Sequence, residues 1–190
     1  MKSGLRKLAE EFSPAFFLTP NQDVILADIP ESRIDAVQTI VDEMGLGKPA
    51  TSTLRTLSMV CPALPTCGLA ITEAERRLPD VISQLEAAGL GEERVTIRMS
   101  GCPNSCSRPP VAELGLIGKS VNGYNLHVGG SPNGSRLAFL LREDVPAEEI
   151  PGQIELLIRL YREHGTGDEA FGDFCHRLGD EQLRLLLEEA

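Results

Sequence analysis

The chain has 190 residues, 42% of them hydrophobic, and a formal net charge of −10. That length suits one ordinary domain or a domain with a small appendage, and the apolar fraction is enough to bury a real core. The acidic balance disfavours nucleic acid and anionic membranes, no apolar run reaches bilayer length, and no charged then apolar leader signals export, so a soluble cytoplasmic protein with reduced thiols is expected.

In chain order, Gly4 to Phe12 reads as a short helix. Ala15-Phe-Phe-Leu and Val24-Ile-Leu-Ala-Asp-Ile flank a Thr19-Pro-Asn-Gln-Asp turn, which is the pattern of a β-hairpin. After Pro30, the apolar positions Ile34, Val37, Val41 and Met44 recur at helical spacing, and Gly45 and Gly47 supply the stop. Helix, two strands and helix make half of a ferredoxin-like sandwich. Such a half leaves apolar sheet surface or a strand edge uncovered, so it either pairs with a matching half or stands as a self-contained appendage.

Leu46 to Thr53, with Gly47, Pro49 and a Thr-Ser-Thr run, reads as a linker. Beyond it, Thr72 and Glu75 form a capping-box pattern ahead of Leu78, Val81, Ile82 and Leu85, which share one helical face up to Gly89; Pro79 kinks this helix or marks a second start. Strands are expected at Val95 to Met99, Ala112 to Ile117, Asn125 to Val128 and Leu137 to Leu141. Ile154, Leu157, Ile158 and Tyr161 then repeat at helical spacing up to Gly165, and Leu183, Leu186 and Leu187 give a last amphipathic helix after Asp180. The order implies a mixed sheet with helices on both faces. The expected fold class is therefore α+β: a ferredoxin-like half-sandwich over residues 1–48, followed by a mixed-sheet α/β/α domain over residues 49–190.

Four of the five cysteines fall into two tight pairs, Cys61-x5-Cys67 and Cys102-x3-Cys106, each in a turn-forming run rich in Pro and Gly. Such runs bend the backbone so that thiolates converge and amide N–H groups face them. Four thiolates suit an iron–sulfur cluster or zinc. Zinc knuckles favour closer spacings and often recruit histidine, and the three histidines stand apart from both pairs. Two disulfides rank lower in a reducing compartment and with an odd total of five. On spacing alone the order is iron–sulfur cluster, then zinc, then core or disulfide cysteines.

The residues around the pairs carry more. Cys61-Pro-Ala-Leu-Pro-Thr-Cys67-Gly-Leu-Ala-Ile-Thr-Glu-Ala-Glu-Arg76 and Met99-Ser-Gly-Cys-Pro-Asn-Ser-Cys-Ser-Arg108 resemble the sirohaem-dependent sulfite and nitrite reductases. Ala112-Glu-Leu-Gly-Leu-Ile-Gly-Lys119, Tyr124-Asn-Leu-His-Val-Gly-Gly130 and Phe171-Gly-Asp-Phe174 resemble the C-terminal part of the assimilatory sulfite reductase haemoprotein, so the likeness runs from about residue 50 to 175.

The resemblance implies a [4Fe-4S] cluster on Cys61, Cys67, Cys102 and Cys106, with Cys106 also the axial ligand of sirohaem iron and hence a bridge between two redox centres. It implies the six-electron reduction of sulfite to sulfide. The alternatives are nitrite reduction to ammonia and a non-catalytic iron–sulfur electron-transfer module. Resembling enzymes contain two repeats, of which this chain matches the second, so the missing N-terminal repeat is an expected partner, in the same protein or a separate subunit. Met1 is then the start of a split subunit, an internal start or the edge of a fragment. An electron donor, flavoprotein or ferredoxin, is expected as well.

Sulfite and sirohaem carboxylates are anionic, so Arg108, Lys119 and Arg136 are candidate partners of cofactor carboxylates, each with a surface ion pair as the plain alternative. Asn104, between two ligands, either donates its amide to sulfur or haem or shapes the turn. Ser105 stands where relatives commonly show glycine and adds a hydroxyl near sulfur. His127, on a strand, reads as solvent-facing or hydrogen-bonded rather than as a ligand, and His164 fits a helix C-terminus. Cys175, although adjacent to His176, reads as a buried thiol.

Overall fold

The computed structural model describes residues 2–45 and 52–189. The chain divides into two compact units, Met1–Thr51 and Ser52–Ala190. The expected linker falls largely on residues 46–51, outside the described residues.

The first unit runs α1 (Lys2–Phe12), β1 (Ala15–Leu18), β2 (Val24–Ala27) and α2 (Ile34–Glu43), with a 3-10 turn at Glu31–Arg33 before α2. The strands pair antiparallel with Ala15 opposite Ala27 and Leu18 opposite Val24, the hairpin read from the turn residues. Within the turn, Thr19 Oγ1 accepts the Asn21 and Asp23 amides at 3.3 and 3.1 Å. The small core is Leu8, Val37 and Ile40, joined by Phe12, Leu26, Ile29 and Val41. This corrects the expected face of α2, because Ile34 and Met44 are exposed and Ile40 is buried instead. Leu8 shares one cluster with the helix at positions 37 and 40, an i,i+3 pair, with Val41 of the expected face partly buried against them. Gly45, at φ +62°, closes the helix in the left-handed region glycine occupies without strain.

The second unit contains α3 (Thr53–Thr56), β3 (Met59–Val60), α4 (Arg77–Ala87), β4 (Ile97–Ser100), β5 (Leu114–Ser120), β6 (Gly123–Val128), β7 (Phe139–Pro146), α5 (Ile150–His164) and α6 (Phe171–Glu189). The sheet is mixed, in the order β3-β4-β5-β6-β7. β3, β4 and β5 are parallel, whereas β5, β6 and β7 form an antiparallel meander. Alternation decides which strand residues enter the core. Ile97, Met99, Leu114, Leu116, Leu126 and Val128 are fully buried and share one cluster with Leu78, Val81, Ile82 and Leu85 of α4, Ile154, Leu157 and Ile158 of α5, and Phe171, Phe174 and Leu183 of α6. The alternate row Arg98, Gly115 and His127 lies level across β4, β5 and β6 on the opposite face.

Two expectations about α4 change. Thr72 does not cap it; its hydroxyl is buried and donates to the Tyr124 phenol at 3.2 Å, and the helix begins five residues later at Arg77. Pro79 sits in the first turn, where no intrahelical N–H is needed, so it starts the helix rather than kinking it. At the other end of the chain, α6 is two helical segments that meet at a kink at Gly179 (φ 73°, ψ 177°), and the second, from Asp180, is the last amphipathic helix expected after that residue, with Leu183 and Leu187 buried. Among the described residues no helix is long and apolar enough to cross a membrane.

Candidate iron–sulfur site

Cys61 follows β3 directly and Cys102 follows β4 after one glycine. Because β3 and β4 are parallel neighbours, with Val60 opposite Met99, both cysteine loops leave the sheet at the same end. Ligands in α/β sheets gather outside the carboxyl ends of parallel strands for this reason. Neither short β3 nor this juxtaposition was legible in the sequence, since two residues carry no alternation.

Gly101 joins the loops. Its amide donates to Cys61 Sγ at 3.4 Å, and its carbonyl accepts the amides of Ile71 and Thr72 at 2.9 and 3.1 Å. A Cβ on Gly101 would lie 2.5 Å from the Thr72 carbonyl oxygen and 2.6 Å from Ala63 Cβ, so the two loops approach closely only because glycine is there. Gly118 on β5 presses from another side, where a Cβ would meet the Gly101 carbonyl oxygen at 2.5 Å. The Met99 carbonyl ties the same two loops, accepting the Cys61 amide at 3.2 Å and the Ser107 hydroxyl at 2.7 Å.

All five cysteines are free thiols. Cys61 and Cys102 are buried, Cys67 is half-buried and Cys106 is exposed. Among the described residues no group of three or more His, Cys, Asp or Glu side chains is gathered as around one metal ion. A zinc site draws all four sulfurs to about 2.3 Å of one centre, whereas a cubane gives each thiolate its own iron. Cys175 is fully buried among apolar groups in α6, and that burial pushes its thiol strongly up; His176 beside it is exposed, so the two face apart.

The second cysteine loop turns twice through the left-handed region, at Ser105 (φ 54°) and Arg108 (φ 58°). A left-handed position explains a preference for glycine at 105. The Ser105 hydroxyl donates to the Pro103 carbonyl at 3.1 Å, so it serves the turn. Asn104 and Arg108 are exposed on this loop, and Lys119 is exposed near the end of β5. Arg98 lies close enough to Arg108 that, after burial, their mutual repulsion further lowers the Arg98 pKa. Positive charge is thus concentrated beside Cys106 in an otherwise acidic chain. Arg136 is placed differently: its Nε donates to the Gly129 carbonyl at 2.8 Å and its Nη2 to Asp173 at 2.6 Å, folding the 129–136 loop against α6.

His127 is half-buried, which lowers its pKa, and its Nδ1 has no hydrogen-bond partner among the described residues. His164 ends α5, as its place in the sequence indicated. Glu113, which the sequence did not single out, is 1% exposed and accepts Thr96 N, Thr96 Oγ1 and Gly172 N at 2.9, 3.1 and 3.0 Å. It locks β5 to the start of α6. A lone carboxylate in a strand-like run gives no sequence signal of such a role.

Two family profiles match the chain. Residues 92–190 match the nitrite and sulphite reductase 4Fe-4S domain, and residues 1–44 match the nitrite/sulfite reductase ferredoxin-like half domain. Cys102 and Cys106 fall within the first match, whereas Cys61 and Cys67 lie between the two. The chain is 48% identical over 181 residues to the sulfite reductase [NADPH] hemoprotein beta-component of Methylorubrum extorquens (strain PA1), covering 93% of this chain and 29% of that protein. Against the same component from Staphylococcus haemolyticus it is 42% identical over 185 residues, covering 94% and 32%. The chain therefore spans about 30% of the length of these curated relatives. Among solved structures it is similar to the Mycobacterium tuberculosis NirA protein, with a TM-score of 0.75, 26% identity, and coverage of 96% of this chain and 36% of that one. A dissimilatory sulfite reductase I shares the fold at a TM-score of 0.70 and 14% identity, with coverage of 98% and 64%. From its half domain to its cysteine-bearing sheet, the chain belongs to the nitrite and sulphite reductase 4Fe-4S family.

Proposed function

We propose that this chain is the C-terminal cofactor-binding portion of a sulfite reductase haemoprotein, holding a [4Fe-4S] cluster on Cys61, Cys67, Cys102 and Cys106 and presenting Cys106 to sirohaem. The observation that carries this reading is the emergence of both cysteine loops from the same end of parallel β3 and β4, joined through Gly101. The donor set fits the group: four free thiols on glycine- and proline-bent loops, with one amide already directed at a ligand sulfur. The gradation of exposure supports the division of roles. Cys61 and Cys102 face inward, and Cys106 alone of the four is exposed, available to a second group on its outer side.

When bound, sirohaem supplies the centre at which sulfite takes up electrons, with the cluster as their immediate source. The protein's own part is positional and electrostatic. Arg108, with Arg98 behind it, places positive charge where an anionic substrate and cofactor carboxylates would gather. Asn104 and Lys119 offer further exposed donors at the same end of the sheet. Arg136 acts through the glycine loop it holds rather than as a free cation.

Completion of the site requires more than this chain. The β1–β2 hairpin leaves Phe17, Leu18 and Ile25 exposed at 56, 83 and 54%, which supports pairing of this half domain with a matching half from an N-terminal repeat. An electron donor, flavoprotein or ferredoxin, completes the path; the NADPH in the relatives' name favours the flavoprotein. Anaerobic reconstitution tests the proposal. With iron, sulfide and sirohaem, the chain together with its N-terminal repeat should show a haem Soret band coupled to a cluster signal, and Cys106→Ser should disturb both. A cluster signal with no haem band would favour a stand-alone electron-transfer module.

A further inference from the structure

We infer that Ser107, acting with Ser100 through the Met99 carbonyl, is a positioning residue that fixes the second cysteine loop against the first. The inference rests on the proposed cluster ligation. Ser100 and Ser107 flank Cys102 and Cys106 in sequence and close the neck of their loop. Both are buried, at 1 and 2% exposure. Their hydroxyls are 2.7 Å apart, the Ser107 amide donates to Ser100 Oγ at 3.2 Å, and the Ser107 hydroxyl donates to the Met99 carbonyl at 2.7 Å.

The proton count assigns every direction in this ring. A carbonyl only accepts, so the single Ser107 hydroxyl proton goes to Met99. The Ser100 hydroxyl must then donate to Ser107 Oγ, while its lone pair accepts the Ser107 amide. No donor is left over. The Met99 carbonyl also accepts the Cys61 amide, so one oxygen carries both loops. Burial of Ser107 has a further consequence for its neighbour. With residue 107 anchored inward and its amide turned to Ser100, Cys106 projects outward, which is the exposure seen for its thiol.

The test uses Ser107→Ala, Ser100→Ala and the double variant of the full chain. In the apo protein, alkylation of Cys102, buried at 7% exposure, should rise about tenfold in each single variant, the scale of one hydrogen bond, while exposed Cys106 reacts as before. In reconstituted protein, iron release to a chelator should quicken by a similar factor and the cluster potential should shift. The double variant should go beyond either single one but fall short of the sum of their effects, because the Ser100–Ser107 hydroxyl bond is lost in both. If the wild-type chain takes up no cluster, the cofactor proposal fails. If it loads normally and the serine variants match it in Cys102 labelling, iron release and potential, or if the two single effects add as independent ones, the positioning role is refuted.

Discussion

Gly101→Ala is the sharpest perturbation the structure offers. The new methyl would sit 2.5 Å from the Thr72 carbonyl oxygen and 2.6 Å from Ala63 Cβ, where ordinary contact begins at 3.4 Å. Both neighbours belong to the Cys61–Cys67 loop or its return, and neither is the free end of a flexible side chain. The loop must therefore retreat by about 0.8–0.9 Å, an overpacking that costs ~1–3 kcal/mol. Retreat also strains the bonds from the Ile71 and Thr72 amides to the Gly101 carbonyl, at ~1 kcal/mol each. The expected total is ~3–5 kcal/mol, a fall in thermal midpoint of ~6–20 °C for a protein of this size. Gly68→Ala is the control: it adds the same methyl next to Cys67, yet its Cβ would meet nothing within 4 Å. Calorimetry of the apo chains and iron stoichiometry after reconstitution give the two readouts. Gly101→Ala should be destabilised and should bind cluster poorly, and Gly68→Ala should match the wild type in both. Equal behaviour of the two variants would refute the claim that Gly101 sets the approach of the loops.

Other outcomes follow from named contacts. Glu113→Ala would orphan three donors, two of them on Thr96, and should lower stability by at least ~3 kcal/mol, read as a large drop in thermal midpoint. Cys175→Ser should reduce stability by ~1–3 kcal/mol, since a hydroxyl enters an apolar site, but leave cluster spectra unchanged; in the native wild type Cys175 should resist thiol reagents until the chain unfolds. The Arg177 guanidinium holds Glu169 well below its usual value of 4.5, to about 2. A depressed folded-state value contributes stability above pH 4.5 that is lost as pH falls towards 2, so Glu169→Gln should flatten the acid limb of a stability profile in that window, and an unchanged limb would refute the pairing.

Sequence made the periodic parts of this fold legible and hid the parts that depend on distant neighbours. The hairpin at residues 15–27 follows from a turn flanked by short apolar runs, and α4 and α5 from four apolar positions on one face. Ile34 and Ile40 are equally apolar, so only the meeting with Leu8 decides which is buried. Thr72 carried a capping pattern but was drawn away by Tyr124, fifty-two residues later. The cysteine pairs were visible as spacing. That they emerge side by side was not, because β3 is two residues long and its partner strand follows thirty-six residues further on. The serine ring shows the same limit: Ser100 and Ser107 look like ordinary turn residues until burial reveals that each proton has one destination.

Four particular sulfurs, those of Cys61, Cys67, Cys102 and Cys106, are proposed to hold one cubane. Mössbauer spectroscopy of the anaerobically reconstituted chain, with each of Cys61, Cys67, Cys102, Cys106 and Cys175 changed in turn to Ser, tests it most directly. A four-iron cluster spectrum is expected in the wild type and in Cys175→Ser, with its loss or conversion in the other four. A full, unaltered cluster in Cys106→Ser, or bound zinc with no iron in the wild type, would contradict it.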